Sequence, residues 1–148
     1  MQLVKTVKTY NTLELLRGMV EISTDHFKNP MYNNSHPLEK ATMFSFGRRC
    51  GHTNAIKQYV QGSDDEIVVV CDNITLARDI NKELGFDVAI SINVIKNLNR
   101  FRGCTTIPTI PSKIIFDSCS MNDIHYFIEA VMVNRIYDIQ AITIIQTI

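Results

Sequence analysis

Two short, almost wholly apolar runs limit this chain's fold more than any other feature: EIVVVC at Glu66–Cys71 and KIIF at Lys113–Phe116. Runs of this length with no polar alternation suit strands covered on both faces, the condition of a parallel sheet between helical layers. The segments around them carry the helical period. Ile74–Leu84 puts Ala77, Ile80 and Leu84 on one side, and Gly85 stands just past its end, where a left-handed cap is common. Asn122–Tyr137 holds Ile124, Phe127, Ile128 and Val131 at i, i+3, i+4, i+7. Thr53–Val60 buries Ile56, Tyr59 and Val60, and Leu13–Ile22 is a further helix that Asn11 or Thr12 caps. Residues 2–8, Thr42–Phe46, Asp87–Val94 and Ala141–Ile145 complete the strand set, and Lys28–Pro37, with two prolines and three asparagines, is a loop.

The alternation predicts a single three-layer α/β domain with a mostly parallel sheet. An N-terminal strand, helix and loop (1–40) leads into the core (41–148). The length of 148 residues, 45% of them hydrophobic, supplies one core and not two. Fifteen Lys and Arg balance fifteen Asp and Glu, which argues against a dedicated basic nucleic-acid module. No apolar stretch approaches the roughly 20 residues that span a bilayer. The N-terminus lacks the apolar centre of a signal peptide, so a soluble, cytoplasmic protein without membrane partners is expected. Cys50, Cys71, Cys104 and Cys119 contain no C-x-x-C pair, and reduced thiols are the expectation.

Chemistry concentrates where Thr42–Phe46 gives way to the next helix, through Gly47-Arg48-Arg49-Cys50-Gly51-His52-Thr53. A glycine-bracketed turn at a helix N-terminus gathers backbone N–H groups, and the helix dipole adds positive character, so the turn suits a phosphate. Two arginines add bidentate partners. The P-loop pattern G-x-x-x-x-G-K-[ST] is met with two departures: the glycines are one residue closer, and His52 replaces the lysine. Thr53 keeps the magnesium-binding hydroxyl. The competing expectation is an ordinary strand–helix turn whose arginines pair with the acidic run Asp64-Asp65-Glu66. Downstream, the KIIF strand ends in Asp117, as a Walker B strand does, and Ala141–Ile145 runs into Gln146 and Thr147, where related motors carry a coupling motif.

With Arg102-Gly103 ahead of the KIIF strand, these runs resemble the ATPase core of viral (phage) terminase large subunits, within the additional-strand P-loop family that includes helicases. The likeness covers about residues 41–147. It implies a P-loop-NTPase-like sheet in which Thr42–Phe46 lies beside Ala141–Ile145, which lies beside Lys113–Phe116. It also implies ATP as ligand, with magnesium held by Asp117 and Thr53. The family continues into a nuclease domain, and this chain stops at Ile148, so cleavage by that route is not expected. Two catalytic groups depart from the pattern. An ordinary histidine, mostly neutral at pH 7, stands at 52 for the phosphate-binding lysine, and Ser118 stands for the water-activating carboxylate. Glu129 is too far along the next helix to replace it.

The resulting expectation is a small, degenerate, phage-encoded relative with weak or no ATP hydrolysis. It would act by binding, as an accessory or regulator of a nucleic-acid machine or as an inhibitor of a host protein. The alternatives are a minimal Mg-dependent ATPase using Arg48 or Arg49, and an interaction protein that binds no nucleotide. Lys96, Arg100, Phe101 and Arg102 form a basic–aromatic cluster suited to a nucleic-acid backbone, against an ordinary solvated loop. Cys50, His52, Cys71 and Cys119 bring zinc-type donors to one sheet edge without a zinc spacing. A Cys50–His52 nucleophile pair lacks an orienting third group. His26, His36 and His125 have no partner pattern.

Overall fold

The computed structural model describes residues 11–46, 51–93, 113–134 and 139–147. Its elements in chain order are α1 (Thr12–Lys28), β1 (Thr42–Phe46), α2 (His52–Gln61), β2 (Ile67–Cys71), α3 (Ile74–Leu84), β3 (Ala89–Ser91), β4 (Lys113–Asp117), α4 (Met121–Asn134) and β5 (Ala141–Thr147). Two 3-10 turns, Pro30–Tyr32 and Pro37–Lys40, fill the proline-bearing loop between α1 and β1. The strand expected over residues 2–8 lies outside the described residues.

The five strands form one parallel sheet in the order β1-β5-β4-β2-β3. The last strand in sequence is therefore inserted between the first and the fourth, as the expected neighbours of Ala141–Ile145 require. Alternate residues of the inner strands feed two cores. Ile67, Val69 and Cys71 of β2, Ile115 of β4 and Ile145 of β5 pack with Leu16 of α1, Ile56 of α2 and Ile80 of α3. Val68 and Val70, Ile114 and Phe116, and Ile142 and Ile144 pack with Ile124, Phe127 and Ile128 of α4. The sheet thus lies between helical layers, and its central strands are apolar on both sides because both sides are covered. Connections that cross from β1 toward β3 use the α2–α3 face. The β4-to-β5 connection, which runs back, uses the α4 face, as a constant crossover hand requires.

Several boundaries differ from the sequence expectation. Helix α1 runs to Lys28, one and a half turns past Ile22, and stops where Asn29 precedes Pro30 and the helix-forming backbone is disfavoured. Its start is capped by the Asn11 side chain, which accepts from the Leu13 N–H at 2.9 Å. Strand β3 shrinks to three residues. Its neighbourhood is held from the side by Asn81, which accepts from the Val88 and Ala89 N–H groups and donates to the Ala89 carbonyl. Strand β5 extends two residues beyond Ile145, carrying Gln146 and Thr147 to the C-terminal edge of the sheet. No helix among the described residues is long and apolar enough to cross a membrane.

Candidate functional site

Parallel strands bring their C-terminal ends to one edge, and ligands of open α/β sheets bind at that edge. Here it carries the ends of β1, β5 and β4 side by side: Phe46 pairs with Thr147 and Asp117 with Ile145. Helix α2 begins over the same edge. Gly51 adopts the left-handed conformation at its N-terminus (φ 72°, ψ 24°), which is why glycine stands there, and no side chain caps the helix. The first-turn N–H groups of α2 thus have no capping side chain at Gly51 to accept from them.

Asp117 is the centre of this edge. It is fully buried, at 0% exposure. Thr53, in the first turn of α2, donates its hydroxyl to Asp117 Oδ2 at 3.1 Å. His52 Nε2 lies 3.3 Å from Oδ1. Ser118 donates its hydroxyl to the same Oδ1 at 3.0 Å and shares a second hydrogen bond of 2.8 Å with Thr147 Oγ1. Three protein donors from two elements thus converge on one buried carboxylate, which is what a charge in that position needs. Ser118 makes these contacts from a left-handed backbone, φ 62°, the one non-glycine residue with positive φ among the described residues. Its N–H donates to the Ile145 carbonyl at 2.9 Å, which fixes the turn. Gln146 completes the edge by donating to the Cys119 carbonyl at 2.8 Å.

His52 departs from the sequence expectation. Its ring stacks on Phe46, with centroids 6.0 Å apart and planes 22° off parallel, and its Nε2 turns to Asp117. The hydrogen bond to Asp117 raises its pKa above the ordinary imidazole value; burial opposes the rise and the nearby carboxylate charge adds to it. The carboxylate that His52 meets favours the charged form of the ring relative to an ordinary imidazole. Its Nδ1 is buried and has no hydrogen-bond partner among the described residues. Neither the Phe46 platform nor the left-handed Ser118 has a one-dimensional signal, because both depend on strands separated in the chain.

The remaining expected site residues divide clearly. Gly51, His52, Thr53, Asp117, Ser118, Gln146 and Thr147 assemble at one edge. Gly47, Arg48, Arg49 and Cys50 lie outside the described residues, as do Lys96, Arg100, Phe101, Arg102 and Cys104. The acidic run offered as an alternative partner for the arginines immediately precedes β2 at the opposite edge of the sheet, where Asp65 holds Lys113 at 2.6 Å. Glu129 pairs with His36 at 2.7 Å, and neither is part of the Asp117 network.

The thiols of Cys71 and Cys119 are buried. Burial first, with the Asp117 and Asp72 charges, pushes Cys71 up to about 12. Burial raises Cys119 also, and its Sγ donates to the Val70 carbonyl at 3.3 Å. Among the described residues, no three His, Cys, Asp or Glu side chains are grouped to hold a metal. No family model, curated protein or solved structure matches the chain.

Proposed function

We propose that this protein is a phosphate- or nucleotide-binding domain of the P-loop type in degenerate form, acting by binding rather than by turnover. The observation that carries this reading is the 3.1 Å hydrogen bond from Thr53 to Asp117. It joins the hydroxyl of a glycine-initiated helix start to the carboxylate ending an apolar strand, and β5 runs between that strand and β1. These are the two groups that P-loop proteins bring together beside the phosphates.

The same edge argues for weak or absent hydrolysis. His52, at the lysine position, is engaged with Asp117, and Ser118, at the position of the water-activating carboxylate, is committed to Asp117 and Thr147. Electrostatic stabilisation of the transferred phosphoryl group and activation of water are then both diminished. A terminase- or helicase-like accessory role, as regulator of a nucleic-acid machine or inhibitor of a host protein, fits a domain that keeps the ligand site and lacks the catalytic pair. Titration with ATP and magnesium by calorimetry, beside a phosphate-release assay with and without DNA, tests the reading. Binding with no turnover above background supports it. No binding contradicts it, and turnover at about 1 per second or faster would restore the enzymatic alternative.

A further inference from the structure

The order β1-β5-β4-β2-β3 puts β1 at one rim of the sheet, paired only with β5 among the described residues. Its composition does not suit a rim. Natural edge strands carry lysine, other charges or proline, which deter pairing with another chain. Thr42-Met43-Phe44-Ser45-Phe46 carries none of these. Successive side chains of a strand point to opposite faces, so neither face of β1 is covered at its middle: Met43 is 59% exposed and Phe44 43%. Among the described residues, no backbone group pairs with the outer side of β1.

The position of α1 determines which strand can fill that edge. Ser23 donates to the Lys40 carbonyl and accepts from the Ile142 N–H, both at 2.9 Å, and Thr42 donates to the Met19 carbonyl at 2.8 Å. The second half of α1 therefore lies over the starts of β1 and β5, and the helix runs against the strands. From Ser23 back to Thr12 it rises about 16 Å, which brings its start level with the C-terminal ends of the strands. A strand that leads into α1 through a short link must end at that level, parallel to β1. Its place follows from the crossover hand. Helices α1, α2 and α3 share one face of the sheet, and the connections from β1 to β2 and from β2 to β3 both move toward β3 on it. A strand ahead of α1 keeps that hand only on the outer side of β1. Placed beyond β3, it would cross with the opposite hand, which parallel connections almost never have.

We propose that the outer edge of β1 is the docking site of this chain's own residues 2–8, which join the sheet as a sixth, parallel strand. The segment Gln2-Leu3-Val4-Lys5-Thr6-Val7-Lys8 has the β-branched residues of a strand and, in Lys5 and Lys8, the charges of a rim that β1 lacks. Seven residues at about 3.3 Å each span the whole of the five-residue β1. Thr9 and Tyr10 then link the strand to the Asn11 cap, a length usual for a strand-to-helix connection. Docking covers Met43 and Phe44 and makes β1 an inner strand, as its composition requires. It also flanks Phe46, on which His52 stacks, with a segment of the same chain.

Nuclear Overhauser contacts in the isotopically labelled full chain test this. Contacts between the backbone protons of residues 3–7 and those of Thr42–Phe46, in one parallel register, are the expected result. Contacts of residues 3–7 with any other strand, or none with β1, overturn the proposal. Contacts with β1 found only between labelled and unlabelled chains of a mixed sample give the edge to a second copy, and overturn it too. Proline supplies the second test. Adjacent N–H groups of a strand point to opposite sides, so one of Lys5 and Thr6 donates to β1. At least one of Lys5→Pro and Thr6→Pro should raise the unfolding constant about tenfold or more, read by urea denaturation. If both variants unfold as the wild type does, residues 2–8 are not in the sheet. If neither variant folds, the contacts in the wild type still decide.

Discussion

Asp117 and His52 form a pair whose energetics depend on pH in a definite direction. The hydrogen bond to Asp117 sets the His52 pKa above the unfolded imidazole value, so the folded protein holds the proton more tightly than the unfolded chain. The stabilisation from that proton is complete below the unfolded value of about 6.5 and is lost as pH rises through the raised folded value. The stability difference between wild type and His52→Asn, measured by urea unfolding, should therefore shrink as pH rises from about 6 through the raised folded value. A difference that grows with pH would mean that His52 is not paired with a carboxylate.

Ser118 allows a sharper comparison, because its backbone strain and its hydroxyl act in opposite senses. Ser118→Ala removes a donor from a buried carboxylate while keeping a side chain at φ 62°, and should cost about 1–3 kcal/mol. Ser118→Gly loses the same donor but relieves the left-handed strain, so it should be the milder change by about 1 kcal/mol. Equal losses in chemical denaturation would show that the strain is negligible. At this scale the sequence announced the carboxylate at a strand end and the hydroxyl after a glycine. It could not announce which way His52 turns, since that follows from β1 and β4 being two strands apart in one sheet.

Elements were most legible where local rules act alone. Gly85 does close α3 in the left-handed conformation (φ 81°), and Asn73 caps its start by accepting from the Leu76 N–H at 2.8 Å. Asn73→Ala should cost about 1 kcal/mol and Gly85→Ala about 1–2 kcal/mol, both read as shifts in the denaturation midpoint at unchanged slope. Unchanged midpoints would mean that α3 does not depend on its caps. The β3 boundaries were not legible. The run from Asp87 to Val94 alternates well enough for a longer strand. Yet Asn81, from the neighbouring helix, takes the hydrogen bonds at Val88 and Ala89, a tertiary competition that no window of sequence contains. The expected end of α4 at Tyr137 lies outside the described residues, which follow the helix to Asn134.

Over the whole molecule, the two-faced burial of β2, β4 and β5 could be read from their composition, and the parallel sheet with helices on both sides followed. The placing of β5 between β1 and β4 came from family resemblance, because pairing of strands almost a hundred residues apart leaves no local trace. Ile115 sits at the centre of that arrangement, fully buried on β4. Ile115→Ala should cost about 2–5 kcal/mol, a loss large enough to unfold a marginal domain, and thermal unfolding would register it. A loss under about 1 kcal/mol would mean that the layer over β4 repacks freely.

The central claim is that the edge formed by the α2 start and Asp117 receives a phosphoryl ligand. Titration of the isotopically labelled chain with ATP, followed residue by residue through its amide signals, addresses it most directly. The predicted result is saturable shifts centred on Gly51, His52, Thr53 and Asn54, with Ser118 following through Asp117. Shifts confined to other surfaces, or none at saturating ATP, would contradict it.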